Sequence, residues 1–478
     1  MDTSISTDTN QDMDTKKRPR GPRAVPDKFD NPADRTSTRD AFAMSLPIFV
    51  ELFLQMSVGY VDQILLANLG TQPAAAVGNA IQILNLVTIM LSAMATAATV
   101  LISRALGAGH RGHINVMTTV SFVANTCTAL VITIGLFCLW PQLLDLLNVN
   151  ADIYEMTASF LLIVASTTVL QGVYFALTSV LRAFARMKDI MVVNIVGNVL
   201  NIVGCLILVN GVPGLGIPAL GVVGSAISWV IFRVFAVALA AYYFLRHTSA
   251  RVRISTLRPF PVQTFKQMLI IGVPSSGEQF SYDLSQTVIL AFVNLLGSAV
   301  VTVKVYCSMC ASIAYTYSIA ISQATQIVIG YLFGRKNIQP IFHRVFTAAG
   351  IAILISVSIS VVLYLNSDVI FSLVTDDPFI HQLGRQILFV EIFLEVGRSL
   401  NIVMVRALIG VGDVKTPVTL NIICSWAIAV AGGYLLGIHL GMGLVGVWIA
   451  MCADEMIRGI LLTGKFALGR WKRNVEQA

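Results

Sequence analysis

From residue 41 onward the chain is a succession of apolar runs of roughly 20 to 30 residues, separated by short polar segments rich in Gly, Pro, Asn and Asp. Coiled as a helix at about 1.5 Å per residue, each run is long enough to cross a hydrocarbon layer about 30 Å thick. About twelve spans emerge, at 41–67, 77–105, 115–139, 153–180, 190–210, 219–245, 267–296, 301–333, 345–365, 379–408, 417–438 and 443–466. The pattern predicts an all-α integral membrane protein.

Composition agrees with that pattern. Of 478 residues 56% are hydrophobic and 12% charged, whereas soluble domains carry about 25% charge. Residues 1–40 differ: Lys, Arg and Asp mix with Thr, Ser and Pro, the composition of a disordered tail. The tail leads straight into a full-length span with no small-residue cleavage pattern, which argues against a signal peptide. Basic residues near span ends stay in the cytoplasm. The tail, the turns holding Arg104 and Arg111, Arg182, Arg186 and Lys188, and the loop of Arg251, Arg253 and Arg258 all follow an even number of spans. So do Arg335, Lys336 and Arg344, then Lys415, then Lys472 and Arg473, while "NLGTQPAAA", "NGVPGLGIP" and "NSDVIFSLVTDDPF" lack Lys and Arg. Both termini are therefore expected in the cytoplasm, and the net charge of +7 is a topology signal plus attraction to anionic membrane lipid, with no nucleic acid implied. The seven cysteines lie almost wholly within spans, as small apolar residues do. "CSMC" from Cys307 to Cys310 has redox spacing without a thioredoxin-like context, and "HRGH" from His110 to His113 supplies too few ligands for zinc.

A shift of 227 residues carries Pro47 onto Pro274, Glu51 onto Glu278, Leu69-Gly70 onto Leu296-Gly297 and Gly107 onto Gly334. Farther on, "LRAFARMKD" from Leu181 matches "VRALIGVGD" from Val405, and "LGVVGSAIS" from Leu220 matches "MGLVGVWIA" from Met442. The chain thus reads as two six-span halves, 41–245 and 267–466, joined by a basic linker at 246–266 and closed by a short tail at 467–478. Six is even, so the halves lie parallel, related by an axis along the membrane normal. Two such bundles can rock about a cleft, as transporters do. A membrane enzyme would show a dense cluster of catalytic His, Asp or Cys near one face.

Ionisable residues inside spans cost at least about 2.5–3.5 kcal/mol each on insertion scales and usually face a cavity. On the first span Glu51, Gln55 and Asp62 share one face, eleven residues being close to three turns. On the seventh span Glu278, Tyr282, Ser285 and Gln286 repeat the stripe, but the position matching Asp62 is Ile289. Desolvated in a bundle, a carboxylate takes up a proton more readily than in water, or holds a sodium ion with neighbouring oxygens. Ion coupling is therefore expected in the first half, at Asp62 with Glu51, and with Asn194, Asn198 and Asn201, whose spacing gives one helix face. Those asparagines are equally suited to hydrogen bonds between helices. Glu278, Gln55, Tyr282, Gln286, Met56 and Tyr60 are the candidates for substrate contact, and Phe53 and Phe280 add aromatic surface for a lipophilic cation. Glu391, Glu395 and Arg398 on the tenth span are a candidate ion-pair group, Glu395 and Arg398 having the i, i+3 spacing. Lys304 is read either as a gate or as a snorkelling residue.

"LPIFVELFLQMSVGYVDQILLANLG", "ISRALGAG", "GVPSSGEQF" and "RALIGVGDVKTP" together resemble the multidrug and toxic compound extrusion (MATE) transporters, over nearly everything after residue 40. The resemblance implies two six-helix bundles around a V-shaped central cleft, and export of organic cations or other lipophilic compounds against inward sodium ions or protons. It places the family's first-helix acid on Asp62 and its seventh-helix acid on Glu278. Many relatives carry Asn-x-x-x-Asp on the fifth helix, where this chain reads Asn201 to Cys205. The missing carboxylate tilts the expectation toward protons.

The expectation is a monomeric secondary active antiporter of the cell membrane, not an enzyme. It needs no cofactor beyond a proton or sodium ion and has no metal site other than sodium at Asp62. The alternative is a flippase for a lipid-linked precursor, which would favour a strongly basic cleft.

Overall fold

A computed structural model describes residues 32–212, 216, 218–372 and 377–473. The side chains of Tyr60, Gln63, Ala67 and Arg111 and the tail residues 1–31 and 474–478 lie outside the described set. The described chain is almost entirely helical. Its first half holds α1 (Thr38–Ala67), α2 (Thr71–Gly107), α3 (Arg111–Leu146), α4 (Ala151–Ala165), α5 (Thr168–Ala183), α6 (Met187–Asn210) and α7 (Gly221–His247). The second holds α8 (Val262–Asn294), α9 (Ser298–Gly334), α10 (Gln339–Leu365), α11 (Ser367–Ser372), α12 (Pro378–Gly410), α13 (Lys415–Cys424), α14 (Ala431–Tyr434) and α15 (Gly443–Ala467). Wide π-type turns at Ser425–Val430 and Leu435–His439 flank α14 and carry the eleventh span through.

Eight of these helical segments are long and apolar enough to cross a bilayer, and the bent pair α4–α5 makes nine. Each of the other three expected spans is helical: α8 and α12 have 33 residues and α15 has 25. Their charged residues, among them Glu278, Asp283, Glu391, Glu395, Arg398, Asp454, Glu455 and Arg458, lower their hydropathy. Outward faces are apolar, as Leu130, Val131, Ile134 and Phe137 on α3 illustrate. Against lipid such a face costs nothing.

Two expectations need correction. The tail does not extend to residue 40: the Ser37 hydroxyl accepts from Asp40 N at 3.0 Å while the Asp40 carboxylate accepts from Ser37 N at 2.9 Å. This reciprocal cap satisfies two otherwise orphaned donors and starts α1 at Thr38. Nor is the fourth span continuous. Ser166 and Thr167 turn their hydroxyls back onto Ile163 O and Val164 O, at 2.6 and 2.9 Å, and the chain bends by 45° between α4 and α5. Buried Arg233 of α7 holds the break by donating to Val164 O at 3.0 Å and Thr167 Oγ1 at 3.1 Å.

The linker lies on the first half, with Arg251 N donating to Asn115 Oδ1 at 2.9 Å and Arg253 N to Thr119 Oγ1 at 3.0 Å. The halves meet where α1 and α2 pack on α8 and α9. Gly107 and Gly334, the pair related by the 227-residue shift, bring α2 and α9 into backbone contact at the end of the molecule that carries the basic turns. A Cβ on Gly107 would lie 2.2 Å from Tyr331 O, and one on Gly334 2.0 Å from Arg104 O.

The same repeat supplies a reciprocal clasp beside that crossing. Arg104, at the end of α2, donates to Ile409 O and Gly410 O at the end of α12, at 3.1 and 2.9 Å. Tyr331, the residue that the shift matches to Arg104, donates from α9 to Ala183 O at the end of α5, at 2.5 Å. Each half thus caps the fourth span of the other, and a cation suits the negative end of a helix. Arg344 adds bonds to Thr36 O and Thr38 Oγ1 at 3.0 and 2.7 Å, and Arg335 pairs with Asp34. Arg104, expected to serve as a loop cation, is thus a bridge between halves.

Gly107→Ala and Gly334→Ala should each cost at least about 1–3 kcal/mol through overpacking at the crossing. The check is the melting temperature of detergent-purified protein beside Gly109→Ala, whose added Cβ meets nothing within 4 Å though its φ of +72° is itself strained. Equal melting of all three would contradict the crossing.

Candidate functional site

In the first half, helices α1, α2, α5, α6 and α7, with α9 and α12 at one side, line a partly open cavity of about 480 Å³, within the range of small-molecule sites. Glu51, Gln55 and Asp62 project into it from α1, Asn194, Asn198 and Asn201 from α6, and Trp229 and Arg233 from α7. The polar stripe of α1 and the asparagine face of α6 thus meet, as their spacing predicts.

The two carboxylates of α1 differ in what holds them. Glu51 is paired with Arg182 of α5 at 2.7 Å, and the same guanidinium donates to Gln323 Oε1 of α9 at 2.5 Å. Arg182, read from sequence as a turn residue that sets topology, is a partner inside the cavity. Asp62, 4% exposed, forms no ion pair among the described residues. Trp229 Nε1 donates to its Oδ2 at 3.1 Å, and the Asn201 amide, with its nitrogen turned to Asp62, reaches Oδ2 at 3.2 Å and Oδ1 at 3.3 Å. Asn194 accepts from Tyr174 Oη at 3.1 Å, and buried Asn198 Nδ2 has no protein partner.

The remaining candidates do not share this cavity, so the single substrate group expected from sequence divides in two. Of that group only Gln55 borders the cavity, Met56 accepts from Ser312 Oγ of α9 at 3.2 Å, and Tyr60 lies outside the described side chains. Glu278, Tyr282 and Gln286 sit on α8 in the second half. There Glu278 accepts from Asn421 Nδ2 at 3.0 Å, and the Tyr282 ring lies 5.8 Å from the Arg458 guanidinium.

Around them lies a buried charge network larger than the expected trio. Arg398 pairs with Glu391 at 2.7 Å and with Glu395, and Trp448 Nε1 donates to Glu391 Oε2 at 2.6 Å. On α15 Arg458 pairs with Asp454 at 2.5 Å and Glu455 at 2.8 Å, while Asn401 Nδ2 donates to Glu455 Oε2 at 2.8 Å. The stretch "DEMIR" from Asp454 to Arg458 carries the same i, i+3 and i, i+4 signal as Glu395 and Arg398, and it went unread. Arg233 gave no such signal, having no acid within a turn of it. Symmetry fails at one further point. Arg182 pairs with Glu51, but Arg406, its counterpart, interacts with the charge of Glu278 without closing to ion-pair distance and also lines the first-half cavity.

The MatE family model matches this chain twice, over residues 47–207 and 274–435, one match to each half. The chain belongs to the MatE family. MatE proteins are membrane transporters and bind small organic substrates. The chain is 34% identical over 442 residues to "Uncharacterized transporter YisQ" of Bacillus subtilis, covering 92% of this chain and 96% of that protein. It is 23% identical over 445 residues to "Probable multidrug resistance protein NorM" of Thermotoga maritima, covering 91% and 93%. A solved structure described as the outward-facing conformation of a multidrug resistance MATE family transporter superposes with a TM-score of 0.86 at 20% identity, covering 94% of this chain and all of that one. This MatE chain therefore shares that fold as well as the family.

Removing one member of a buried ion-paired group costs about 3–5 kcal/mol, because its partner stays behind uncompensated. Arg458→Met should therefore lower the melting temperature of this MatE protein sharply. The triple variant Arg458→Met, Asp454→Asn, Glu455→Gln should recover most of the loss, since no buried charge is then stranded. Equal melting of single and triple variants would contradict the pairing.

Proposed function

We propose that the protein is a secondary active antiporter of the cell membrane, with both termini in the cytoplasm. In this reading it exports lipophilic or cationic organic compounds in exchange for ions, and the first-half cavity is where substrate and ion compete. The observation that carries it is Asp62, a carboxylate buried at cavity depth that Trp229 and Asn201 hold without a cation. Glu51 is neutralised by Arg182 and has less freedom to change charge. Only the first half has the carboxylate, since Ile289 takes its place in the second and is buried.

Protons are the favoured reading, because Cys205 stands where a second carboxylate would complete a sodium shell with Asp62. Protonation turns an acceptor into a donor and so changes the hydrogen bonds that Asp62 shares with Trp229 and Asn201. Trp229 lies one turn from Arg233, which grips the break between α4 and α5. A proton arriving at Asp62 would thus act on α7 and, through it, on the bend. The basic face, read as cytoplasmic, is held shut by the Arg104 and Tyr331 clasp, and alternating access requires that clasp to open. A ligand shifts such an equilibrium only by binding one state better than the other. The cavity wall carries carboxylates as well as arginines, whereas a lipid-linked pyrophosphate would favour a strongly basic cleft, which disfavours the flippase alternative.

The test is efflux of a fluorescent lipophilic cation from proteoliposomes under an imposed proton or sodium gradient. Wild-type protein should respond to the proton gradient, and Asp62→Asn should lose the response. Gradient-driven efflux by Asp62→Asn at the wild-type rate would overturn the assignment.

A further inference from the structure

The linker between the halves combines charge and apolar surface in an unusual way. From Arg246 to Lys266 it holds five basic residues and no acid, with Val252, Ile254, Phe260 and Val262 interleaved among them. Exposed apolar residues scattered singly need no explanation, but these four fall within one short loop. Ile254 is 74% exposed, Val262 64% and Phe260 47%. Arg253, Arg258 and Lys266 are exposed as well, and their side chains make no hydrogen bond or ion pair among the described residues.

Helix α3 sets the depth at which this loop lies. Trp140, near its far end, is a residue type that marks a membrane boundary. A hydrocarbon layer about 30 Å thick takes about 20 helical residues, which brings the opposite boundary to Val120. Arg251 N and Arg253 N are bound to Asn115 and Thr119. The linker backbone therefore lies in the headgroup layer, with its second tether at the edge of the hydrocarbon. It also lies on the outer side of α3. Leu130, Ile134 and Phe137 stand about three, four and five turns beyond Thr119, on the same face, and all three are exposed. Thr119 begins that lipid-facing stripe yet is buried where the linker crosses it.

The geometry points to a phospholipid site on the linker, selective for an anionic headgroup. Arg253 and Arg258, with Lys266 in the second turn of α8, would hold phosphate oxygens, for which a guanidinium supplies paired N–H donors. Ile254, Phe260 and Val262 would enter the acyl boundary, where apolar exposure is favourable. One occupant thus answers both parts of the surface. A free phosphate would leave the apolar side chains in water, and an apolar protein partner would leave the arginines unanswered. Bound lipid would hold the joint between the halves against α3. None of this depends on what the protein carries.

Binding is read by native mass spectrometry of the full-length protein in detergent, titrated with phosphatidylglycerol or with phosphatidylcholine of the same acyl chains. A basic residue near a lipid surface contributes about fivefold in affinity, so wild-type protein should prefer phosphatidylglycerol by at least about tenfold. The double variant Arg253→Gln, Arg258→Gln should lose that preference, and Arg253→Lys, Arg258→Lys, which keeps the charge, should retain most of it. Lys472→Gln with Arg473→Gln, which removes as much charge from the C-terminal end, should leave the preference unchanged. Ile254→Ser with Phe260→Ser should weaken both lipids by the same factor. Equal binding of the two lipids by wild-type protein overturns the inference. So does a loss in the Lys472 and Arg473 variant equal to that in the linker variant, because the preference would then follow net charge alone. Displacement of phosphatidylglycerol by millimolar glycerol phosphate also overturns it, since the site would then need no acyl chain. Should the glutamine variant not yield a monodisperse protein, the wild-type lipid pair, the glycerol phosphate competition and the lysine variant still decide.

Discussion

A charge enclosed by these helices has no water to turn to, and every buried ionisable group must be answered by another or left with something to do. In the second half the answer is mutual. Two arginines, Arg398 and Arg458, are shared among Glu391, Glu395, Asp454 and Glu455, with Trp448 and Asn401 taking oxygens that the guanidinium groups do not reach. Four carboxylates against two arginines leave the network short of positive charge, and Glu395 Oε2 and Asp454 Oδ1 lack hydrogen-bond partners among the described residues.

In the first half the same constraint gives a different result. One pair, Glu51 with Arg182, is closed, and the remaining groups are separated along a cavity wall. The asymmetry arose within a duplication. Where the first half has Asp62 the second has Ile289, and where the first closes an ion pair between its glutamate and its arginine the second holds its glutamate by an asparagine, with the arginine farther off. Gene duplication supplies two equivalent bundles, and these few departures assign them different work: a cavity with unpaired charge in one and a charge-dense core in the other.

How much of this was legible in the sequence depends on range. Spans, the repeat and the face shared by Glu51, Gln55 and Asp62 are periodic, and periodicity survives folding. The Glu395–Arg398 pair is local and was readable for the same reason. Arg182 was not, because a basic residue at a span end satisfies the topology rule whether it faces water or a glutamate 131 positions away. Arg233 was missed because its partners are a backbone carbonyl and a hydroxyl on another helix, and carbonyls leave no mark in a sequence. The bend between α4 and α5 follows from Ser166 and Thr167 only once Arg233 is there to hold it. Asp454 to Arg458, by contrast, is as local a pattern as Glu395 and Arg398 and is readable in the same way.

The contacts that close the basic face are of a kind that can be reversed. Arg104, Tyr331 and Arg344 bind backbone carbonyls and a hydroxyl, and the one ion pair beside them, Arg335 with Asp34, is solvent-exposed; bonds of this type are worth about 0.5–3 kcal/mol each. Opening leaves those groups at an interface where water can replace their partners, so these bonds themselves add little to the cost of opening. Inverting a two-state equilibrium from 1:99 to 99:1 takes about 5.5 kcal/mol of differential binding. Buried ion pairs across the same seam would have put it out of reach, and the strongest pairs in this protein, those of Arg398 and Arg458, lie within one bundle. The distribution of charge thus keeps each bundle rigid while leaving the boundary between them free to move.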